Sequence, residues 1–442
     1  MAKRRIHFGI DFGTSTSKIV VRDYGAAGGE RATVVLNKRG SYEFPSNVKL
    51  VDDLLVFGAS PFSNPPVTTY TSVKMRVAAE VKGQDTSWCY GSQPTLPDGI
   101  SAADLAVLTV WWLISEARRA LDPDREYALG MTLGIPMSFF NDTQLRASFL
   151  RISRAAWFLF RQYGLLKPRS QIRLDRARQR VKEAYDHIDS KEVPADQVRD
   201  WIRSEAEAAM WWAYNAPEVP AGPYGKIDIG AGTTNASVFR IVNVLRGGRQ
   251  VKGKLAFFGS TSVSFGMDAV DEALANWQGL DSSKAVMCRR KEEKLLKDFE
   301  ASLTCENAIR EIVRGFHKAW WEGYRKNQGS PDEVQTWDAT CQLFVIGGGS
   351  QVGPIREKLI PHPDPNKRNR KFVLHQLSNP QDLWLRPRER PSSAMLPFVL
   401  VAYGLSVIGL SIPEAKIPSE VPSIPKSEAR VKFLDADDIY SK

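Results

Sequence analysis

The chain has 442 residues, of which 43% are apolar and 25% are charged, and its net charge is +10. This composition is typical of a folded globular protein, and it excludes a disordered chain and a fibrous repeat. At roughly 150 residues per domain, the length allows two or three domains or one large two-lobed unit. The four cysteines are widely spaced and form no zinc or redox motif, so we expect reduced thiols and a cytoplasmic protein.

The predicted elements begin with a β-hairpin, in which residues 6–10 and 17–22 flank a Gly-Thr-Ser turn. A second hairpin of the same plan is predicted over residues 226–241. Apolar residues at helical spacing predict helices over four further ranges. These ranges are 104–121, 145–163, 197–214 and 284–324. A further apolar strand, 343–346, ends in three glycines.

The excess positive charge is concentrated in one segment, Arg146–Lys182, which holds eleven basic residues and a single acid, Asp175. A basic helical insertion is predicted at about 165–200. Its stripe of basic side chains consists of Arg169, Arg173, Arg176 and Arg180. A solvated helix face, an acidic protein partner and nucleic acid are the alternatives for this segment. Nucleic acid is possible but not favoured, because the aromatic residues here fall mostly on the apolar face of a predicted helix.

The turn of the first hairpin combines an aspartate, a glycine and hydroxyl groups. Asp11 ends an apolar strand, Gly13 follows it, and Thr14, Ser15 and Thr16 complete the turn. Glycine lets backbone N–H groups approach an anion closely, and the hydroxyl groups are further donors. Taken alone, the pattern also fits an ordinary hairpin turn. The sequence contains neither a Walker loop nor a dinucleotide-binding fingerprint.

A second loop repeats this plan of strand, aspartate, glycine turn and hydroxyl. Its residues are Asp228, Gly230, Ala231, Gly232 and Thr233. Two such loops facing each other would hold a polyphosphate from both sides, with both aspartates directed toward a hydrated Mg²⁺ ion. A third loop, Gly347–Ser350, follows a strand, and its bare backbone would let a flat base lie against it.

In order and content, the three loops resemble the phosphate-1, phosphate-2 and adenosine motifs of the actin-like ATPase superfamily. Other stretches are similar to the nucleotide-binding domain of the heat-shock 70 kDa chaperones. These stretches are 44–48, 56–58 and 72–74 near the family's catalytic lysine, 135–144 at its proline switch, 204–209, and 397–404 in its closing helix. The resemblance covers about residues 6–412. It implies an α/β protein with the actin-like ATPase fold, in which two ribonuclease-H-like lobes enclose a nucleotide cleft.

The resemblance also implies how the chain is divided. Residues 1–216 would form lobe I and residues 217–393 lobe II, while 394–412 would form a closing helix that returns to lobe I. This match is why the long uncharged stretch 394–412 is interpreted as a buried helix rather than a membrane span. Residues 413–442 would form a proline-rich, extended tail.

Carried over to this chain, the resemblance implies a binding site for ATP or ADP with Mg²⁺. Phosphate would be held by Gly13, Thr14, Ser15, Thr16, Gly230, Ala231, Gly232 and Thr233, and adenosine by Gly348, Gly349 and Ser350. The catalytic set would be Lys74, Glu205, Asp11, Asp228 and Thr233. In this set the lysine faces the γ-phosphate, Glu205 orients the attacking water, and the two aspartates hold the metal through water. A surface lysine and a helix-surface carboxylate are the alternatives for Lys74 and Glu205.

Two departures from the family pattern concern the site directly. Asn235 stands where the family's second phosphate loop ends in an acid, and Val352 stands where the family stacks an arginine on the adenine.

Only a short proline-rich segment follows Ile412, so we expect no peptide-binding β-domain. The expected function is a heat-shock-70-like switch that binds and slowly hydrolyses ATP, and whose lobe movement regulates a partner protein. An actin-like filament-forming ATPase and, less favoured, a sugar-type kinase are the alternatives.

Overall fold

The computed structural model describes residues 3–26, 29–58, 67–84, 94–166, 170–246, 249–263, 265–278, 303–327, 340–352, 355, 359, 371–408 and 414–420. The strands in chain order are β1 (Arg4–Asp11), β2 (Thr16–Asp23), β3 (Arg31–Val34), β4 (Phe44–Pro45), β5 (Val48–Val51), β6 (Leu54–Phe57), β7 (Thr68–Tyr70), β8 (Tyr127–Ile135), β9 (Gln171–Arg173), β10 (Ile202–Ser204), β11 (Gly222–Ile229), β12 (Thr234–Arg246), β13 (Arg249–Val263), β14 (Thr340–Ile346), β15 (Lys371–Leu374), β16 (Leu383–Trp384) and β17 (Glu414–Lys416). The helices are α1 (Val73–Lys82), α2 (Ala102–Arg119), α3 (Met137–Asn141), α4 (Thr143–Tyr163), α5 (Leu174–Asp189), α6 (Val198–Trp201), α7 (Glu205–Asn215), α8 (Met267–Gln278), α9 (Leu303–Asn327) and α10 (Leu396–Leu405).

Two mixed sheets share one topology. The first has the strand order β10-β8-β1-β2-β3-β16, and the second has the order β15-β14-β11-β12-β13-β17. In each sheet, the first three strands form an antiparallel meander, and two later strands add in parallel beside the meander's first strand. The chain is therefore a mixed α/β protein in which one five-strand arrangement occurs twice. Both predicted hairpins are present, as β1–β2 and β11–β12.

The apolar stretch near residue 400 forms a buried helix on the first sheet. A Cβ at Gly9 of β1 would lie 2.1 Å from the carbonyl oxygen of Ala402, and a Cβ at Gly404 would lie 1.8 Å from that of Ala208 in α7. Glycine at both positions is thus required for α10 to lie directly against β1 and α7. No helix in the described ranges is long and apolar enough to cross a membrane.

The two sheets are connected through helix α7 as well as through α10. Trp212 of α7 contacts the ring of Phe344 on β14, with ring centroids 5.7 Å apart. Phe239 and Phe257 of the second sheet belong to the same buried apolar cluster as Phe8 of the first. The other face of the second sheet packs against α8 and α9 in a separate cluster. This arrangement places the ends of β1 and β11 near each other.

Three expectations about chain organisation are wrong. The helix predicted over 197–214 is interrupted by strand β10, because Ile202–Ser204 pairs in parallel with the end of β8. The chain returns to the first sheet at β16, before the expected boundary at residue 394, since Leu383 pairs with Ala32. The tail is not wholly extended and unpacked either: β17 adds to the edge of the second sheet beside β13, and Ala415 and Ile417 are buried.

The basic insertion is a strand followed by a helix. β9 pairs with β6 and extends a small sheet of order β7-β5-β6-β9. Arg173 ends that strand and precedes α5, so of the predicted stripe only Arg176 and Arg180 lie on the helix, and Arg169 lies outside the described residues.

Candidate functional site

The candidate site lies where parallel strands of both sheets end. Asp11 ends β1 and pairs in register with Gly134 near the end of β8, and Glu205 begins α7 directly after β10. In the second sheet, Asp228 lies one residue before the end of β11 and pairs with Ile346, the last residue of β14. Ligands of open α/β sheets bind at the carboxyl ends of their strands. The topology therefore brings the predicted acidic residues to one edge of each sheet.

The loop that follows Asp11 is a tight turn that only glycine fits at position 13. A Cβ at Gly13 would lie 2.0 Å from the carbonyl oxygen of Thr16. Thr14 is buried, whereas Ser15 is exposed and Thr16 is partly exposed. Lys18, the cross-strand neighbour of Asp11, donates from Nζ to Oγ1 of Thr16 at 3.0 Å and to its carbonyl oxygen at 3.1 Å. This lysine adds a positive charge that the sequence reasoning did not assign to the site.

The second loop is a comparable turn, held from behind by helix α8. The N–H of Gly230 donates to the carbonyl oxygen of Thr233 at 2.9 Å. The carbonyls of Gly230 and Ala231 accept from Met267 and Asp268 at 2.9 and 2.8 Å. These contacts fix the loop at the start of α8.

The hairpin loops of the two sheets contact each other. A Cβ at Gly232 would lie 2.9 Å from Cγ2 of Thr14, so the absence of a side chain there lets the loops approach this closely. Residues 14 and 232 come from hairpins on different sheets.

The third loop lies beside Asp228. Gly347 has a φ of 80°, and a Cβ there would lie 2.5 Å from Oδ1 of Asp228. Gly348 faces the ring of Phe398, and Gly349 packs against Ile229. The hydroxyl of Ser350 donates to the carbonyl oxygen of Gly347 at 2.6 Å, so it shapes the loop itself. Gly348 begins a short 3₁₀ turn, Gly348–Gln351.

The third loop is also tied to the closing helix. The N–H of Gly347 donates to the carbonyl oxygen of Pro397 at 2.9 Å, at the start of α10. Val352, which stands in place of the family's arginine, is buried.

Lys74 and Glu205 form a buried ion pair across 131 positions of sequence. Each side chain is 5% exposed, which excludes both the surface lysine and the helix-surface carboxylate. Glu205 is the first residue of α7, whose N-cap is Ser204 with its hydroxyl accepting from the N–H of Glu207 at 3.2 Å. A carboxylate at a helix N-terminus is stabilised by the helix dipole. Lys74 lies in the first turn of α1.

The acids and lysines of the site act on one another electrostatically. The pKa of Asp11 is raised to about 7, chiefly by burial; the charges of Lys18 and Lys74 lower it, while those of Glu205 and Asp228 raise it. The second aspartate has a lysine of its own. Nζ of Lys226 lies 3.2 Å from Oδ2 of Asp228. Three carboxylates and three ammonium groups thus lie near the ends of β1 and β11.

Sequence reasoning missed Lys18 and Lys226, although the position of each lysine relative to an aspartate could have indicated it. Lys226 interrupts an apolar strand two positions before Asp228, on the same face of that strand. Lys18 lies seven positions after Asp11, where the turn of the hairpin places it directly opposite.

A metal ion at this site would need ligands other than protein side chains as well. Within the described residues, no group of three or more His, Cys, Asp or Glu side chains could hold a metal ion. Mg²⁺ keeps several waters and is bound by one or two carboxylates together with substrate phosphates. Asp11 and Asp228 are such a pair of carboxylates, one from each sheet.

The basic segment lies outside this site, and many of its arginines have partners in the chain. Arg151 pairs with Asp189 at 2.6 Å, and Arg173 pairs with Asp53 at 2.6 Å. Three others contact carbonyl oxygens or aromatic rings: Arg154, Arg178 and Arg180. Much of the charge therefore stabilises the packing of the insertion against its neighbours.

No protein-family model matches the sequence, and no curated protein matches it significantly.

Proposed function

We propose that the chain binds Mg·ATP between its two sheets and acts as a slowly hydrolysing nucleotide switch of the actin-like, heat-shock-70 type. The observation that carries this proposal is the contact between two equivalent hairpin loops, Thr14 against Gly232. Each loop follows an aspartate near the end of the first strand of a sheet of the same topology. If each loop were an ordinary hairpin turn without a binding role, there would be no reason for the two equivalent loops to contact each other.

The proposed binding mode uses backbone donors and fixed charges. The N–H groups of both loops would contact the β- and γ-phosphates, as preorganised donors do wherever anions bind to glycine turns. Lys18 and Lys74 would donate to phosphate oxygens. Mg²⁺, when bound, would neutralise phosphate charge, and Asp11 and Asp228 are the residues that would hold its water shell. The third loop would receive the adenosine.

Hydrolysis in this proposal depends on the pair Lys74 and Glu205. The carboxylate of Glu205 would accept a hydrogen bond from the attacking water and so orient that water. Lys74 would place its charge where the γ-phosphate oxygens gain negative charge in the transition state. Its ion pair with Glu205 places the two groups at one point, which supports their joint role.

The switch would consist of a change in the distance between the loops. The two loops lie against each other at Thr14 and Gly232, so phosphate held by both of them would fix their separation. A partner protein that senses the separation of the sheets would then respond to ATP.

Calorimetric titration with Mg·ATP tests the proposal. The parent chain should bind one ATP, and Asp11→Asn and Asp228→Asn should each weaken binding by at least about tenfold, or about 1.4 kcal/mol. Asp122→Asn changes an exposed aspartate that pairs with Arg125; it is the control and should bind as the parent does. Absence of binding by the folded parent, or unchanged affinity in both site variants, would contradict the proposal.

A further inference from the structure

Lys226 is an unusual residue for the middle of a strand. Its side chain is 1% exposed, and its cross-strand neighbours in register are Ser237 on β12 and Phe344 on β14. A buried ammonium group is unfavourable unless an opposite charge and hydrogen bonds compensate it. Its ion-pair partner is Asp228, at 3.2 Å between Nζ and Oδ2.

The surroundings of Asp228 explain why a positive charge is needed there. Its Oδ1 faces the backbone of Gly347, and its cross-strand neighbour is the neutral Asn235. Asn235 is itself engaged, since its Oδ1 accepts from the hydroxyl of Ser262 at 2.7 Å. The charge of Asp228 also acts on the carboxyl group of Asp11. The side chain of Asp228 is only 14% exposed, and a carboxylate so largely removed from water is unfavourable unless an opposite charge balances it.

We propose that Lys226 serves as a built-in monovalent cation for Asp228. It is a positioning residue: it does not touch the nucleotide, but balances the charge of the carboxylate that faces it. A consequence is that the chain needs no dissolved K⁺ or Na⁺ at this carboxylate, either to fold or to bind nucleotide. The part of this inference that concerns nucleotide rests on the proposed function, whereas the part that concerns folding does not.

Removing the ammonium group should create a dependence on dissolved cations that the parent lacks. In Lys226→Ala, a cavity forms beside Asp228 into which K⁺, Na⁺ or ethylammonium can enter. The thermal midpoint of this variant without nucleotide should be higher by about 3 °C or more in potassium or ethylammonium chloride than in choline chloride at equal ionic strength. The parent's midpoint should be the same in these salts. Lys252→Ala, which removes a half-buried lysine of the same sheet that donates to Ala213 and Ala216, is the matched control and should also be indifferent.

Affinity for Mg·ATP gives the second measurement. It should be about tenfold weaker for Lys226→Ala in choline chloride and should recover in potassium or ethylammonium chloride. If the alanine variant does not fold in any salt, Lys226→Gln keeps the length of the side chain without its charge and should show the same cation dependence. Equal behaviour of variant and parent in every salt would overturn the inference, as would a parent whose midpoint depends on the cation. A parent that binds no nucleotide, with the cation-dependent midpoint present in the variant, would instead overturn the proposed function alone.

Discussion

The buried pair of Lys74 and Glu205 makes the most demanding stability prediction. Replacing Lys74 by Met leaves the carboxylate of Glu205 buried without its partner, since both side chains are 5% exposed. Removing one member of a buried ion pair costs about 3–5 kcal/mol of folding free energy. The double variant Lys74→Met with Glu205→Gln removes both charges and should be more stable than the sum of the single effects predicts. The expected coupling is about 2 kcal/mol.

Urea unfolding followed by circular dichroism measures these differences for the parent, both single variants and the double variant. Lys82→Met is the matched control, because Lys82 pairs with Asp142 at side-chain exposures of 27% and 30%. Partly exposed pairs of this kind contribute about 0–1 kcal/mol. Additive effects of the two site substitutions, within about 0.5 kcal/mol, would refute the inference that the charges depend on each other.

The same variants distinguish the effect of the ion pair on stability from its effect on ATP hydrolysis. The double variant should recover much of the lost stability, but its single-turnover hydrolysis should remain far below that of the parent. Lys74→Met should lower the rate of hydrolysis far more than the affinity for ATP, because a charge at the γ-phosphate acts mainly in the transition state. Equal single-turnover rates in variant and parent would show that Lys74 has only a structural role.

Two further predictions concern the first sheet. His7 is buried among Arg203, Arg5 and Arg22, and burial followed by these charges lowers its pKa to about 3. Between pH 6.5 and 3, the unfolded chain therefore binds one more proton at this residue than the folded chain does. The free energy of unfolding, compared with that of His7→Gln, should fall by about 1.4 kcal/mol per pH unit as the pH drops below 6.5. Parallel pH profiles of unfolding for the two proteins would contradict this. Gly404→Ala should lower the free energy of unfolding by about 3 kcal/mol or more, because its Cβ would collide with a backbone oxygen. Gly25→Ala, in an exposed turn, should lower it little. Equal thermal midpoints for the two variants would be inconsistent with the close contact of α10 and α7.

Sequence patterns predicted the local structure near the site well. The alternation of apolar residues around a glycine turn predicted both hairpins, because period-two burial is a property of neighbouring residues. Strand β10 escaped this reasoning, since Ile202–Ser204 is too short for a pattern and is extended only because it pairs with β8. Strand β17 likewise exists through its pairing with β13. Both strands form only because they pair with residues that are distant in the sequence, and local β-propensity contains no information about such pairing.

The site shows the same division between local and distant information. The loop residues could be named from their own stretch of sequence, because glycine and hydroxyl residues have a direct meaning in turns. The contact of Lys74 with Glu205 could not be derived from spacing; the resemblance to a known family assigned both residues to one site but predicted no contact between them. The charge balance at Asp228 was missed because it requires knowing that Lys226 is buried, which the structure alone provides.

Hydrogen–deuterium exchange of the full chain with and without Mg·ATP tests the central claim most directly. The claim is that three loops from two sheets bind one nucleotide. ATP should slow exchange together in peptides that contain residues 12–16, 230–234 and 347–351, because ligand binding suppresses local opening. Peptides from α5, in the basic insertion, should exchange equally in both conditions. Unchanged exchange in all three loops at saturating ATP, or protection of the α5 peptides alone, would contradict the account.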